Sequence, residues 1–422
     1  MHAMKTVVVL GAGYGGLRAA LGIAKSGRAR VILIDKKPYH AFPAQWYEVA
    51  TLFNAEQKGK QIAWEDFHRF FYSAAIPIHE IVKHAGPNLE FREAAVSRVI
   101  PRRSLIELED GSELAYDWLI VALGSQTNYF NIPHLESNSY GFKSVEEALN
   151  VRDRIDEIFL NAPKHKKITI VVGGGGFTGT ELAGELVGYM EKLSRQHKHP
   201  HGGWACVVVE AGKSVLGGTS PWIQKQASAR LHKLGVTVLL DSPIVDVWPN
   251  SLIIGPEKRS LPFDLLLWTA GVKGACEGDL FEDVTREKRN CLVVDETLRL
   301  AAHQNVFVIG DIAATIHPVT KMPMPMTAQK ALHEGSYVER AMKRLLKNDK
   351  AILESYVPKK SSFIIPIGGK YALVETPYVH AAGFPIWVLK YVVLFKYLIT
   401  ILPFLKSIGV VARELRLFTK ND

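Results

Sequence analysis

Cysteine is scarce in this chain. Cys206, Cys276 and Cys291 stand far apart, and no Cys-x-x-Cys occurs. That pattern excludes a zinc knuckle and a dithiol redox pair, and it suits a reducing compartment. A membrane span is also lacking, since no run of about 20 apolar residues is uninterrupted. No block of Lys and Arg resembles a nucleic-acid arm, so nucleic acid is not an expected partner. The formal charge of +9 then points to an anionic membrane or anionic substrates. The start, "MHAMKTVVVLGAGYGG", lacks signal-peptide architecture, because its short apolar run leads straight into a glycine turn. "HKHPH" (197–201) has a metal-binding composition but reads as a polar excursion between elements, and no metal site is expected. Cys276 and Cys291 fall in "GACEGDLFEDVTREKRNC", which reads as an exposed loop.

What is present is an ordinary globular composition, 47% hydrophobic and 22% charged over 422 residues, enough for two or three domains. "KTVVVLGAGYGGLRAALGIAKSG" reads as a buried strand, a tight turn and a helix. Gly11, Gly13 and Gly16 form Gly-x-Gly-x-x-Gly. The first glycine makes the turn, the second admits a pyrophosphate, and the third lets the helix pack on the strand. A second strand, "ARVILIDKK", ends in Asp35, where a carboxylate bonds the ribose hydroxyls of an adenosine.

The unit recurs. "KKITIVVGGGGFTGTELAGELVGYM" places Gly173, Gly175 and Gly179 at the fingerprint positions, with Gly174 and Gly176 extra. "WACVVVEAG" follows and ends in Glu210. Its charge favours a free ribose 2′-hydroxyl over a 2′-phosphate, hence NADH over NADPH; Lys213 nearby works against that preference. Two adenosine sites suggest two dinucleotides, a bound flavin and a visiting nicotinamide. "DWLIVALGSQTNYF" and "DLLLWTAGV" are each an acid, an apolar strand and a glycine turn, at Gly124 and Gly271. "NVFVIGDIAA" ends a buried strand at Asp311, an acid suited to a flavin's ribityl or phosphate hydroxyls.

The order GAGYGG, ALGS, GGGGFTGTE, WTAGV, VFVIGD resembles the two-dinucleotide-binding-domain flavoproteins over nearly the whole chain. Within them the sequence is most similar to the type II NADH dehydrogenases, single-subunit NADH:quinone oxidoreductases. The narrower match rests on "YHAFPAQWYEVAT" (39–51), "GGGGFTGTELAGEL" (173–186) and "TAQKALHEG" (327–335). The resemblance implies an α/β fold of two Rossmann-like, glutathione-reductase-like domains. An FAD domain split between 1–125 and 290–350 would enclose an NADH domain at 150–275, with a C-terminal region at 355–422. It implies FAD as cofactor, NADH as substrate, and non-proton-pumping transfer of electrons to a quinone. It also implies cofactor contacts at Gly15, Lys36, Val96, Gly124, Gly271 and Asp311 besides the fingerprint residues. Glu181 is implied near the flavin–nicotinamide contact, Ala328 and Gln329 at the flavin ring and quinone pocket, and His333 on the quinone side. His333 and Glu334 stand where the family has glutamines, and "LFNAEQKGKQIAWEDF" after Thr51 departs from the usual continuation. Disulfide reductases and sulfide:quinone oxidoreductases of this fold need a cysteine pair at the flavin; none is present here before Cys206.

From the residues alone, Glu181 either orients the nicotinamide or relays a proton, or is a first-turn acid favoured by the helix dipole. Gln329 either bonds a quinone carbonyl or caps and packs its helix. His40 and Glu48, in the segment behind the flavin, read as structural more than as contacts.

The chain ends "FPIWVLKYVVLFKYLITILPFLKSIGVVARELRLF" (384–418). Phe404, Ile408, Val411, Leu415 and Phe418 recur on one helical face, with Lys406, Arg413 and Arg416 opposite. Before Pro403, Lys390, Lys396, Tyr397 and Thr400 share a narrow arc of an apolar helix. Two cationic amphipathic helices lying in a bilayer interface fit this pattern, with lysines snorkelling and Trp387 and the tyrosines at headgroup depth. The expectation is a peripheral protein on the cytoplasmic face of the cell membrane. Packing of the tail on its own domain or on a second copy of the chain, as a homodimer, stays open. The alternative function is a soluble FAD-dependent NAD(P)H reductase serving a protein carrier.

Overall fold

The computed structural model describes residues 4–53, 71–200, 202–276, 278–359 and 362–418. The departing stretch after Thr51 lies mostly outside them. The main helices are α1 (Tyr14–Ala24), α2 (Trp46–Val49), α3 (Val145–Asn161), α4 (Phe177–Gln196), α5 (Pro221–Lys233), α6 (Ala328–Leu345), α7 (Phe384–Leu398) and α8 (Phe404–Phe418). The chain divides into two compact units, residues 1–40, 76–126 and 272–361, and residues 41–75, 127–271 and 362–422. The second unit therefore holds the tail and the segment that the resemblance set behind the flavin.

In the first unit, the apolar, β-branched runs of the central strands, residues 7–10, 31–34 and 119–121, are buried on both sides, as parallel sheets require. The sheet order is Arg299–Leu300, His303–Val308, Trp118–Val121, Lys5–Leu10, Ala29–Asp35 and Leu89–Glu93. All neighbours are parallel except the first pair. Helices α1 and α6 cross closely. A Cβ on Gly335 would collide with Gly15 O, and one on Gly15 would lie 3.0 Å from Ala331 O. Gly15 is thus needed for helix packing. Arg18 fastens the crossing through Glu339 at 2.7 Å and Ser336 at 3.0 Å.

The second unit repeats the inner order: Thr237–Leu239, Trp204–Val209, Ile168–Gly173 and Leu265–Trp268, all parallel. A three-stranded antiparallel sheet (Phe363–Pro366, Ala372–Glu375, His380–Gly383) leads into the tail. Gly383 and Pro385 start α7, a pairing of turn residue and first-turn proline. The break at Pro403 falls between α7 and α8.

Several sequence expectations are corrected. Cys276 and Cys291 are not in an exposed loop; both are buried, Cys276 in the core of the first unit. All three cysteines are free. The "HKHPH" stretch is not a polar excursion where it is described. His197 Nε2 meets Asp156 at 2.9 Å, His199 Nε2 meets Phe159 O at 2.7 Å, and both rings are buried, tying the end of α4 to α3. No metal-binding cluster occurs among the described residues.

Candidate functional site: two nucleotide turns and a buried charge cluster

The fingerprint of the second unit sits one residue later than the sequence suggests. Gly11 and Gly174 are the equivalent turn residues, with φ of +101° and +108°, a region open to glycine at little cost. A Cβ on Gly16 would strike Gly11 O, and one on Gly179 would strike Gly174 O in the same way. The pattern is therefore Gly174, Gly176, Gly179. Gly173 is the last strand residue, pressed on the Trp268 ring, where a Cβ would come within 2.6 Å. Gly175 takes the place of Ala12. Four glycines in a row, 173–176, left the frame undetermined without the φ values.

Each turn is held by its acid. Asp35 accepts from Ala12 N at 2.7 Å and Lys37 N at 2.9 Å. Glu210 accepts from Gly175 N at 2.6 Å and Gly212 N at 2.7 Å. Burial pushes the Asp35 carboxyl up, and these two N–H groups and the neighbouring lysines oppose it. Each oxygen keeps a further lone pair for a hydroxyl.

The helices that follow start without side-chain caps. Gly13 caps α1 and Gly176 caps α4, neither with a side-chain bond, and a Cβ at either would meet nothing within 4 Å. By contrast α3, α5 and α6 are capped by Ser144, Ser220 and Thr327. Two open helix N-termini with backbone N–H groups directed outward suit a pyrophosphate. The residues present therefore fit a dinucleotide in each unit.

The other candidates fall as follows. His40 is fully buried; its Nδ1 meets Ala12 O at 2.8 Å and its ring stands edge-on to Tyr14. Burial lowers it to about 4, so it braces the turn as a neutral ring. Lys36 is exposed just past the strand ending at Asp35. Val96 begins a strand paired to Leu105–Leu108 and packs on the core. Gly124 has φ of +76° and its carbonyl accepts from Ala275 N at 3.1 Å. Gly271 is needed by the Phe130 ring beside it. Asp311 accepts from Ser125 Oγ at 2.6 Å. On α6, Ala328 is exposed, and Gln329 and His333 are half-buried. Burial, then the charge of Lys359, lowers His333. Glu334 turns inward and is fully buried.

The second unit contains a charge cluster that periodicity did not reveal. Glu48 of α2 forms a buried ion pair with Lys390 of α7, and that ammonium also donates to Tyr47 Oη at 3.2 Å and lies 4.6 Å from the Tyr391 ring centroid. Lys390 therefore does not snorkel, and Trp387 and Tyr391 pack in the unit's own core instead of standing at headgroup depth. Gln45 donates to Glu414 of α8. Burial, then Glu48, pushes the Glu414 carboxyl well above the ordinary range, against Gln45, Lys390 and Arg413. Gln45 Oε1, Trp46 Nε1, Glu48 Oε2 and Glu414 Oε1 are buried without a partner among the described residues, and such atoms take water or a polar ligand group.

Glu181 borders this cluster. It lies beyond the first turn of α4, which contains no acid, so the helix-dipole reading fails. Burial pushes it up to about 8; Lys390 opposes this, and Glu48 and Glu185 add to it. It holds a proton at neutral pH and can release one just above it.

The sequence matches the pyridine nucleotide-disulphide oxidoreductase family over residues 5–335. A type II NADH:quinone oxidoreductase of Staphylococcus haemolyticus is 29% identical over 366 residues, covering 84% of this chain and 86% of its own. One from Staphylococcus aureus gives the same figures. Among solved structures, NDH2 from Plasmodium falciparum in complex with NADH superposes with a TM-score of 0.82 at 20% identity, over 98% of each chain. The sulfide:quinone oxidoreductase of Aquifex aeolicus gives 0.73 at 16% identity, over 99% of this chain and 92% of its own. The repeated strand–glycine–helix units, their clamped acids and this match agree: the chain belongs to the pyridine nucleotide-disulphide oxidoreductase family.

Proposed function

We propose that this protein is an FAD-containing type II NADH:quinone oxidoreductase that works at a membrane surface and pumps no protons. The observation that carries the reading is the repeated site: an uncapped helix N-terminus, an open glycine and an acid clamped to the turn, once in each unit. Relatives of nearly equal span named for NADH and quinone choose the activity.

Bound FAD would supply hydride acceptance from NADH and return of the electrons to the quinone. The protein's own residues bind, orient and move protons. Asp35 and the α1 N-terminus would hold the adenosine and pyrophosphate of FAD, and Asp311 would accept from its ribityl hydroxyls. Glu210 and the α4 N-terminus do the same for NADH, and the Glu210 charge repels a 2′-phosphate. Gln329 donates its amide N–H to a quinone carbonyl. Glu181 keeps a proton on its carboxyl and supplies it as the quinone takes up charge.

The tail supports surface binding. The face of α8 that the fold buries is Ser407, Val410, Glu414 and Leu417. Phe404, Leu405 and Ile408 are left exposed, as are Val388, Val392 and Val393 of α7. Of the expected stripe only Phe418 is buried, and Val411 and Leu415 are partly so. No described helix is long and apolar enough to cross a membrane. Lys396, Lys406, Arg413 and Arg416 remain exposed for anionic headgroups. The reading places the protein peripherally on the cytoplasmic face of the cell membrane.

Steady-state oxidation of NADH with a panel of quinones tests the reading. Turnover with a quinone, NADH preferred over NADPH, is expected. Turnover with protein carriers alone would point to a soluble reductase.

A further inference from the structure

Glu334 stands where the resemblance leads toward the quinone, yet its side chain faces the opposite task. It is fully buried. Its Oε2 accepts from Gly310 N at 2.6 Å, its Oε1 accepts from the Thr315 hydroxyl at 2.8 Å, and Lys330 lies 3.3 Å away, one turn back on α6. Lys330 is as deeply buried. Its ammonium donates to Gly310 O at 2.7 Å and to Ala313 O at 3.3 Å. The two side chains thus bind both ends of the loop 310–315. Three ammonium protons meet three acceptors, and both carboxylate oxygens are used. Within that loop Asp311 is fixed further by Ser125 on its side chain and by the Cys291 thiol, 3.4 Å from its carbonyl. Gly310 takes φ of +74°, a turn conformation that glycine adopts at little cost.

A fully satisfied buried ion pair adds little net stability compared with apolar residues of the same volume; what it can supply is one geometry. We propose that Lys330 and Glu334 are positioning residues for the flavin: they lock loop 310–315 to the first turns of α6 and thereby aim the Asp311 carboxylate at the flavin chain. This rests on the reading that the first unit binds FAD. The lock also sets α6, which carries Gln329, in register with the same loop, so one buried pair orders both the flavin seat and the helix assigned to the quinone.

The test is the paired variant Lys330→Met/Glu334→Leu, which keeps volume and removes both charges. Apoprotein is titrated with FAD by fluorescence, with NAD⁺ binding measured as control, and visible circular dichroism reports how the bound flavin is held. The expected result is a folded protein with NAD⁺ affinity unchanged, FAD affinity lowered ten- to a hundredfold, and an altered visible dichroism. Asp311→Asn should give a similar loss, and adding it to the pair should cost little more, because the pair acts through Asp311. FAD affinity within twofold of wild type, or losses that simply add, would overturn the proposal. If the paired variant does not fold, Thr315→Val removes one bond of the lock; a several-fold loss of FAD affinity supports the proposal and none overturns it. Wild-type protein that binds no flavin would overturn the underlying reading, and the proposal with it.

Discussion

Glu181 and Glu210 are two carboxyls with opposite settings. Glu210 accepts two backbone N–H bonds at a half-buried strand end, whereas burial, with Glu48 and Glu185 adding to it, pushes Glu181 up to about 8 against Lys390. Because its folded value is raised, Glu181 is protonated below about 8 and loses its proton as pH rises through that value. The rate of flavin reoxidation by quinone should therefore fall above pH about 8, while reduction by NADH should not. Stopped-flow measurements of Glu181→Gln should show a slower reoxidation without that alkaline limb; an unchanged limb would assign the titration to another group. Glu210→Gln should reduce the NADH/NADPH ratio of kcat/KM by roughly 1.5–3 kcal/mol, the scale of one charged hydrogen bond. An unaltered ratio would remove Glu210 from the ribose site. Residues of this kind were legible in sequence when a motif fixed them: Asp35, Glu210 and the turn glycines of the first unit lie at fixed offsets from a strand. The frame of "GGGGF" was not, because four glycines stand in a row and only the backbone shows that Gly174 takes positive φ, in a turn where a Cβ would strike Ala270. Glu48, Lys390 and Glu414 were not legible either, since no local pattern signals a charge that is buried by a partner more than 300 residues away.

At the scale of elements, the tail is a working part of the second unit as well as a surface. The helical pair and the break at Pro403 follow from composition and periodicity, but the face that packs does not. The wheel shows an apolar stripe; the fold buries Glu414 and Ser407 beside it and leaves much of the stripe outside. Deleting the tail would strip Lys390 from Glu48, so it cannot separate docking from folding. Lys390→Met alone leaves a buried carboxylate unpaired and should cost about 3–5 kcal/mol in denaturant unfolding. Adding Glu48→Gln should recover much of that, and a double variant no better than the single would show that the pair is not what the lysine supports. Docking is tested on the exposed side. Val392→Glu with Leu405→Glu should leave the melting temperature near wild type yet abolish flotation with anionic vesicles, since two side chains each worth about 1.5–3 kcal/mol on burial are lost. Unchanged flotation would remove this face from docking, and a halving of mass in solution would make it a contact between copies.

For the whole molecule, the central claim is that one chain takes electrons from NADH and gives them to a quinone through a flavin. The two halves of that claim have different partners and can be read apart. The most direct measurement is an anaerobic single turnover of the purified protein, with the flavin band followed near its visible maximum. The account predicts a yellow protein that NADH bleaches rapidly and NADPH slowly. A quinone added afterwards should restore the colour in one phase. A flavin that NADH does not reduce, or that a quinone leaves bleached while a protein carrier restores it, would contradict the account.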